Sequence, residues 1–338
     1  MKILMLTDKM DIGGAETHII TLIGALSKMG VDVTLVCAGG IYIKTVLSLG
    51  VKYREAPLDK RDPLSMLKAR KIVKEEMARC HIVHAHTRFG ANLAGSIRKR
   101  GTWPPILVTA HLDFPKFPYG KRCFFGDLTL AVSEDIKRHL INTYGVREEN
   151  IRLTKNGINI SQWQGTKQRR KLIIHTSRID KGRSRTAMLL ADIAPRLFRE
   201  HPEYKLLIIG DGDDMPTLIS KVARANEAIG EEKVILAGKR SDIPSIMGYG
   251  EIYVGVSRGA LEAMAAGIPT VVSGDEGFAG VVNEGNFSAL AYSNFCARGF
   301  PLPNEYSLLC AICDLIESEE LRARLPVIYP RRIPAPCP

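Results

Sequence analysis

The sequence predicts an α/β protein built from two doubly wound domains. Short apolar runs alternate with segments of helical period, the alternation restarts near Lys171, and glycine turns follow several of the runs. A chain of 338 residues also has room for two domains of about 150 residues each.

The elements follow in order. "KILMLT" (2–7) is a short apolar run that ends in polar residues, as a buried strand does. In the next segment Ile19, Leu22, Ile23 and Leu26 recur three or four apart, so they share a helix face, and Gly30 stops that helix. "VDVTLVCA" (31–38), "IVHA" (82–85), "PILVTA" (105–110) and "LTLAV" (128–132) read as further strands, with helical periods in "DPLSMLKARKIVKEEMARC" and "EDIKRHLINTYG". A second series comprises "KLIIHT" (171–176), "KLLIIG" (205–210), "KVILAG" (233–238), "EIYVGV" (251–256) and "IPTVVS" (268–273). This rhythm predicts parallel sheets covered by helices, with ligands beyond the carboxyl ends of the strands. The polar, basic stretch 159–171 reads as the connection. The expected domains are 1–162 and 163–325, followed by an irregular proline-rich tail at 326–338.

Composition narrows the class. Hydrophobic residues make up 45% and charged residues 25%, and no apolar run approaches the roughly 18 residues of a membrane span. Asp8, Lys9 and Asp11 interrupt the first apolar run, which argues against a signal peptide. The seven cysteines are scattered, as in a reducing cytosol, so a cytoplasmic protein is expected. Cys310 and Cys313 read as helix-face thiols rather than a zinc or redox pair. The net charge of +11 is not confined to the four arginines of 322–338. It favours anionic partners, such as a phosphorylated substrate or the inner face of an anionic membrane. "KFPYGKR" (116–122) and "SIRKRG" (96–101) are candidate membrane contacts. Dispersed basic residues and the lack of a recognisable module argue against nucleic acid.

Several motifs carry chemistry. Gly13 and Gly14 follow the first strand and open a helix, where backbone and an anion can approach each other. The dinucleotide fingerprint is absent, because "VCAGG" stands where the second strand should end in an acid. In "HTSRIDKGRS", Arg178 and Lys181 follow a strand and supply a donor fork and a point charge suited to a diphosphate. Asp211, Asp213 and Asp214 in "IIGDGDD" read as turn and helix-start acids rather than metal ligands. Glu262 is read at the start of an alanine-rich helix, where a carboxylate can take a ribose diol. His84 and His86 point one way from a strand, but no third metal ligand is evident, and no metal is expected. His111 ends a strand.

These pieces together resemble the glycosyltransferase family 4, group 1 enzymes over nearly all of residues 1 to about 325. The marks are "GGAE", "VHAH", "TAH", "AVSEDIKRHLINTYGV", "NGIN", "LLIIGDGD", "VILAGKRSDIPSIM" and "LEAMAAGIPTVVS". The nearest subgroup has SRxDK and VGVSRxALEAMA patterns. The resemblance implies the GT-B fold, with two Rossmann-like domains facing a central cleft. It also implies a retaining, metal-independent hexosyltransferase that needs no cofactor. Such an enzyme moves a sugar from a nucleotide-diphosphate donor to a glycan or lipid-linked acceptor in cell-envelope polysaccharide biosynthesis. By the same resemblance Gly13 and Gly14 approach the donor phosphates, Arg178 and Lys181 hold the diphosphate, and Glu262 binds the ribose. The backbone at Gly238, Lys239 and Arg240 meets the base, and His111 lies beside the transferred sugar.

Three departures stand out. The family carries a second glutamate eight residues before the one matched by Glu262, and here that position is Val254. Ser257, Arg258 or "GDEGFAG" would have to substitute, with Glu276 and the Gly277–Phe278 backbone the first candidates. Arg178 and Lys181 are also closer together than is usual, and the proline-rich tail replaces the expected final helix. These departures leave open a donor-binding homologue impaired in catalysis. A nucleotide-sugar epimerase of similar architecture is a further alternative, but no acid/base carboxylates can be placed for it.

Overall fold

A computed structural model describes residues 1–98, 103–113, 123–163 and 168–328. The basic stretch 116–122 and most of the tail lie outside the described residues, as does part of 96–101. The chain forms two compact units that divide between Lys155 and Asn156.

The first unit runs β1 (Lys2–Leu6), α1 (Gly14–Lys28), β2 (Asp32–Cys37), α2 (Ile43–Ser48), β3 (Lys52–Glu55), α3 (Pro63–Met77), β4 (Ile82–Ala85), α4 (Arg88–Ile97), β5 (Ile106–Ala110), β6 (Leu128–Ala131), α5 (Glu134–Tyr144) and β7 (Ile151–Leu153). Its seven-stranded sheet has the order β3-β2-β1-β4-β5-β6-β7, with every pairing parallel. Central strands such as β1 are buried on both faces, which explains their continuous apolar runs. The order reverses at β1, which lies between β2 and β4. Leu6 pairs with Ala85, and Ala85 with Val108, so the loops after β1, β4 and β5 leave the sheet at one edge.

The second unit runs β8 (Leu172–Thr176), α6 (Arg185–Glu200), β9 (Lys205–Ile209), α7 (Met215–Ile229), β10 (Val234–Leu236), α8 (Ile243–Met247), β11 (Ile252–Gly255), α9 (Ser257–Ala265), β12 (Thr270–Gly274), β13 (Gly277–Val281), α10 (Phe287–Tyr292), α11 (Glu305–Glu317) and α12 (Glu319–Ile328). Its sheet has the order β10-β9-β8-β11-β12-β13, parallel except for the antiparallel β12–β13 hairpin.

Ile158 and Trp163 pack into the core of the second unit, so part of the stretch read as a linker is structural. α12 runs through Pro326 to Ile328, past the point where the sequence reading places irregular chain. No helix among the described residues is long and apolar enough to cross a membrane. Cys310 and Cys313 lie on α11 as half-buried free thiols, and burial pushes Cys313 up to about 11, away from thiolate chemistry.

Candidate functional site

In the second unit the predicted cations lie on the segment that joins β8 to α6. That segment is fastened to the loop after β9. Ile179 N–H donates to Asp211 O at 3.0 Å, Asp214 N–H to Ile179 O at 2.8 Å, and Ser177 N–H to Ile209 O at 3.1 Å. The Asp213 carboxylate accepts from Lys181 N–H at 3.1 Å, and the Ser184 hydroxyl donates to Asp214 at 2.6 Å. Ile179, between the two cations, is fully buried and anchors the loop. Arg178 stays half-buried and Lys181 exposed. The glycines of "GDGD" make this fit possible. A Cβ on Gly210 would run into the Ser177 carbonyl, and one on Gly212 into the Ile179 carbonyl and the Asp180 carboxylate. The acids beside these glycines therefore have structural partners, as the sequence reading expects.

His175 adds a support from below. Its Nδ1 lies 2.8 Å from Val254 O, and its Nε2 lies 2.8 Å from Ser177 Oγ. A carbonyl only accepts, so Nδ1 carries the proton and the Nε2 of the neutral ring accepts from the Ser177 hydroxyl. Burial lowers this imidazole to about 4, which keeps it neutral.

Neighbouring strand ends bring further predicted residues to the same edge. Gly238 has φ +61°, its carbonyl accepts from Gly210 N–H at 3.0 Å, and Lys239 Nζ lies 3.4 Å from Asp211. Arg240 forms a two-pronged pair with Asp242 at 2.8 and 2.6 Å. Asp275, in the β12–β13 turn, accepts from Arg185 N–H at the start of α6, at 3.3 Å. Burial raises its carboxyl above the usual range. The edge is thus rigidly backed and carries cations together with the carboxylates that pair them.

Glu262 needs a correction. α9 begins at Ser257, so Glu262 lies past the middle of the helix rather than at its start. It is buried and paired with Arg258 Nε at 2.9 Å. Burial raises its carboxyl, and Arg258 opposes the shift. The expected stand-ins for the missing acid are also engaged. Glu276 accepts from Arg298 at 2.7 Å, and Phe278 N–H donates to Pro301 O at 2.7 Å. Gly277 is required because a Cβ there would overlap the Ala297 carbonyl.

In the first unit Gly13 is the N-cap of α1 and Gly14 its first residue. Gly13 is extended, with φ 169°, so its backbone demands no left-handed conformation. Glu16 is buried in the first turn. The sequence reading finds no third partner for His84 and His86, whereas the fold supplies His18 and His111. His86 Nδ1 lies 3.3 Å from His111 Nε2, and the His18 ring centroid lies 5.1 Å from that of His111 and 5.9 Å from that of His86. The His84 ring centroid lies 4.1 Å from that of His86, the rings tilted by 35°, and its Nε2 meets the Thr109 hydroxyl at 2.8 Å. Burial drives His84 down to about 3 and His86 well below the ordinary range, so both rings are neutral.

Comparison with known proteins decides the family. The family model Glycosyltransferase Family 4 matches residues 12–162, and Glycosyl transferases group 1 matches residues 170–317. The chain belongs to the family 4, group 1 glycosyltransferases. A phosphatidyl-myo-inositol mannosyltransferase of Mycolicibacterium smegmatis is 22% identical over 92% of this chain and 83% of its own length. Anabaena HepE, solved with UDP-glucose, has TM-score 0.74 at 18% identity over 98% of this chain and 95% of its own. A UDP-N-acetylglucosamine 2-epimerase from Listeria monocytogenes aligns with TM-score 0.62 at 14% identity over 96% of this chain and 90% of its own. Architecture alone therefore does not separate transferase from epimerase. The two family matches assign this chain to the glycosyltransferases, and the fold is GT-B. Sequence reasoning missed His18 and Asp275 in this glycosyltransferase. His18 lies beside Ile19 on α1, and only the helix register relative to β4 and β5 reveals its neighbours.

Proposed function

We propose that this glycosyltransferase moves a sugar from a nucleotide-diphosphate donor to a glycan or lipid-linked acceptor of the cell envelope, with retention at the anomeric carbon and without a metal ion. The observation that carries the reading is the clamped Ser177–Ser184 segment. It presents Arg178 and Lys181 at the carboxyl end of β8, on the edge that also bears Lys239 and Arg240. As the donor bond breaks, the departing diphosphate gains charge, which a guanidinium fork and an ammonium stabilise. The UDP-glucose complex of HepE supports a donor of this class, and the mannosyltransferase relative, named for phosphatidyl-myo-inositol, supports a lipid-linked acceptor. A net charge of +11 suits work at the inner face of an anionic membrane. In this reading Gly13, Gly14, Gly238 and Glu262 would make the donor contacts that the family resemblance implies, Glu262 only by giving up its Arg258 partner, and His111 would lie beside the sugar.

A donor screen that reads released nucleotide diphosphate tests this reading. Arg178→Ala and Lys181→Ala should each lower turnover by about 10²-fold or more, in line with loss of a charge-stabilising donor. Turnover should persist in chelator, and product NMR should show the donor's anomeric configuration. An inverted product, or full activity in both variants, refutes the reading. A second reading, donor binding without turnover, is favoured by Val254 in place of an acid. It predicts saturable donor binding with no product.

A further inference from the structure

We propose that His18, His86 and His111 form a binding site for a divalent transition-metal ion, best matched by Zn²⁺, in the first unit. One ligand atom from each ring lies within 4.8 Å of the other two. His86 Nδ1 and His111 Nε2 are 3.3 Å apart. Two nitrogens bound to one tetrahedral Zn²⁺ at about 2.0–2.1 Å are themselves separated by about 3.3 Å. The three ring centroids lie 5.1, 5.6 and 5.9 Å apart.

The scaffold holds these groups firmly. His18 projects from the second turn of α1, whose adjacent Ile19 is fully buried in the core. His86 follows β4, and its N–H donates to Leu6 O at 2.9 Å. His111 follows β5 directly. Three nitrogen ligands suit Zn²⁺, Co²⁺ or Ni²⁺ and not Mg²⁺ or Ca²⁺, which take oxygen. Three protein ligands also leave a fourth position for water or a ligand oxygen. The ion would occupy the lone pair of His111, so it would inhibit transfer rather than assist it. That consequence rests on the role proposed above for His111, whereas the site itself does not.

The test uses the full chain, freed of metal by chelator and desalted. Co²⁺ titration should produce a visible d–d band that saturates at one ion per chain, and Zn²⁺ should abolish it. His18→Ala and His86→Gln should each weaken Co²⁺ binding at least about tenfold. Thermal melting verifies that each variant is folded, and His18→Ala, on a half-exposed helix position, guards against an unfolded His86 variant. Glu200, His201 and Cys313 form the other metal-competent cluster among the described residues, so Cys313→Ser serves as the control and should bind as wild type does. No visible band, unchanged affinity in His18→Ala, or loss of binding in Cys313→Ser overturns the site. Separately, Zn²⁺ at saturation should inhibit wild-type transfer. Stoichiometric binding without inhibition leaves the metal site standing and removes His111 from the sugar.

Discussion

Gly212→Ala probes the mechanism that positions the two cations. The new methyl would fall inside contact distance of the Ile179 carbonyl carbon and oxygen, and of the Asp180 carboxylate. The carbonyl is main chain and cannot rotate away, so the two loops must separate. Separation weakens the bonds of Ile179 N–H to Asp211, Asp214 N–H to Ile179 and Lys181 N–H to Asp213. Losing one or two such bonds, each worth about 0.5–1.5 kcal/mol, gives about 0.5–3 kcal/mol, and overpacking costs about 1–3 kcal/mol. For a unit of this size each kcal/mol lowers the melting temperature by about 2–4 °C. Displacing Arg178 and Lys181 by the same strain should weaken nucleotide-diphosphate binding at least about tenfold, since 1.4 kcal/mol is one decade. The control is Gly230→Ala at the end of α7, where φ is +79° and no atom lies within 4 Å of the added carbon. It should lose about 1 kcal/mol of stability through left-handed strain while keeping its affinity. Differential scanning fluorimetry and calorimetric titration measure both quantities. If Gly212→Ala binds the diphosphate as wild type does, the clamped loop does not position the ligand.

Three further outcomes are expected. Glu262→Gln removes the carboxylate that pairs with the buried Arg258 guanidinium and should cost about 3 kcal/mol in urea unfolding without donor; unchanged stability would show that the pair is not structural. Because His175 is held near 4 in the folded state, the unfolded chain binds more protons between its ordinary value of 6.5 and about 4, so stability should fall by up to about 3 kcal/mol as pH drops through that window. His175→Gln should flatten this slope, and an unchanged slope would refute the assignment. Asp275→Asn keeps an acceptor for Arg185 N–H but removes the charge; transfer falling at least about tenfold with unaltered melting would give Asp275 a role beyond capping α6, and equal transfer would confine it to that cap.

Much of the fold was legible because its central strands are buried on both faces. β1, β8 and β9 are short runs dominated by Leu and Ile, and such runs announce themselves without tertiary information. β3, with the sequence KYRE, is a half-exposed edge strand whose residues carry no strong pattern. β7 has three residues, and β13 is interrupted by glycine at both Gly277 and Gly280. The start of α9 was misread because Ser257 enters it at φ +54°, a conformation that no neighbouring residue signals. Arg178 and Lys181 were readable from their position after a strand. The histidine cluster was not, because its members lie on three elements that meet only when β1, β4 and β5 pair.

The position of the family's missing acid has a physical explanation in β11. Val254 is fully buried, pairing with His175 of β8 on one side and Val271 of β12 on the other. A carboxylate there would be desolvated with no cation among its strand partners. Nor does an exposed loop follow, because α9 starts directly after β11. Its first residue, Ser257, is pinned by its own N–H to Phe295 O at 2.8 Å and by the Asn294 amide to its hydroxyl at 2.9 Å. Asn156 continues the network to Asn294 at 3.2 Å. Ser257, Asn294, Phe295 and Ala297 all have positive φ, at 54°, 52°, 59° and 57°, so left-handed backbone outside glycine concentrates at this strand end. Such strain persists only where the surroundings over-determine it. At this strand end the chain therefore carries an uncharged amide–hydroxyl network where the family resemblance implies a glutamate. Any negative charge acting there must come from elsewhere; the neighbouring β12 leads into a turn that carries Asp275 and Glu276, and Glu276 is engaged by Arg298.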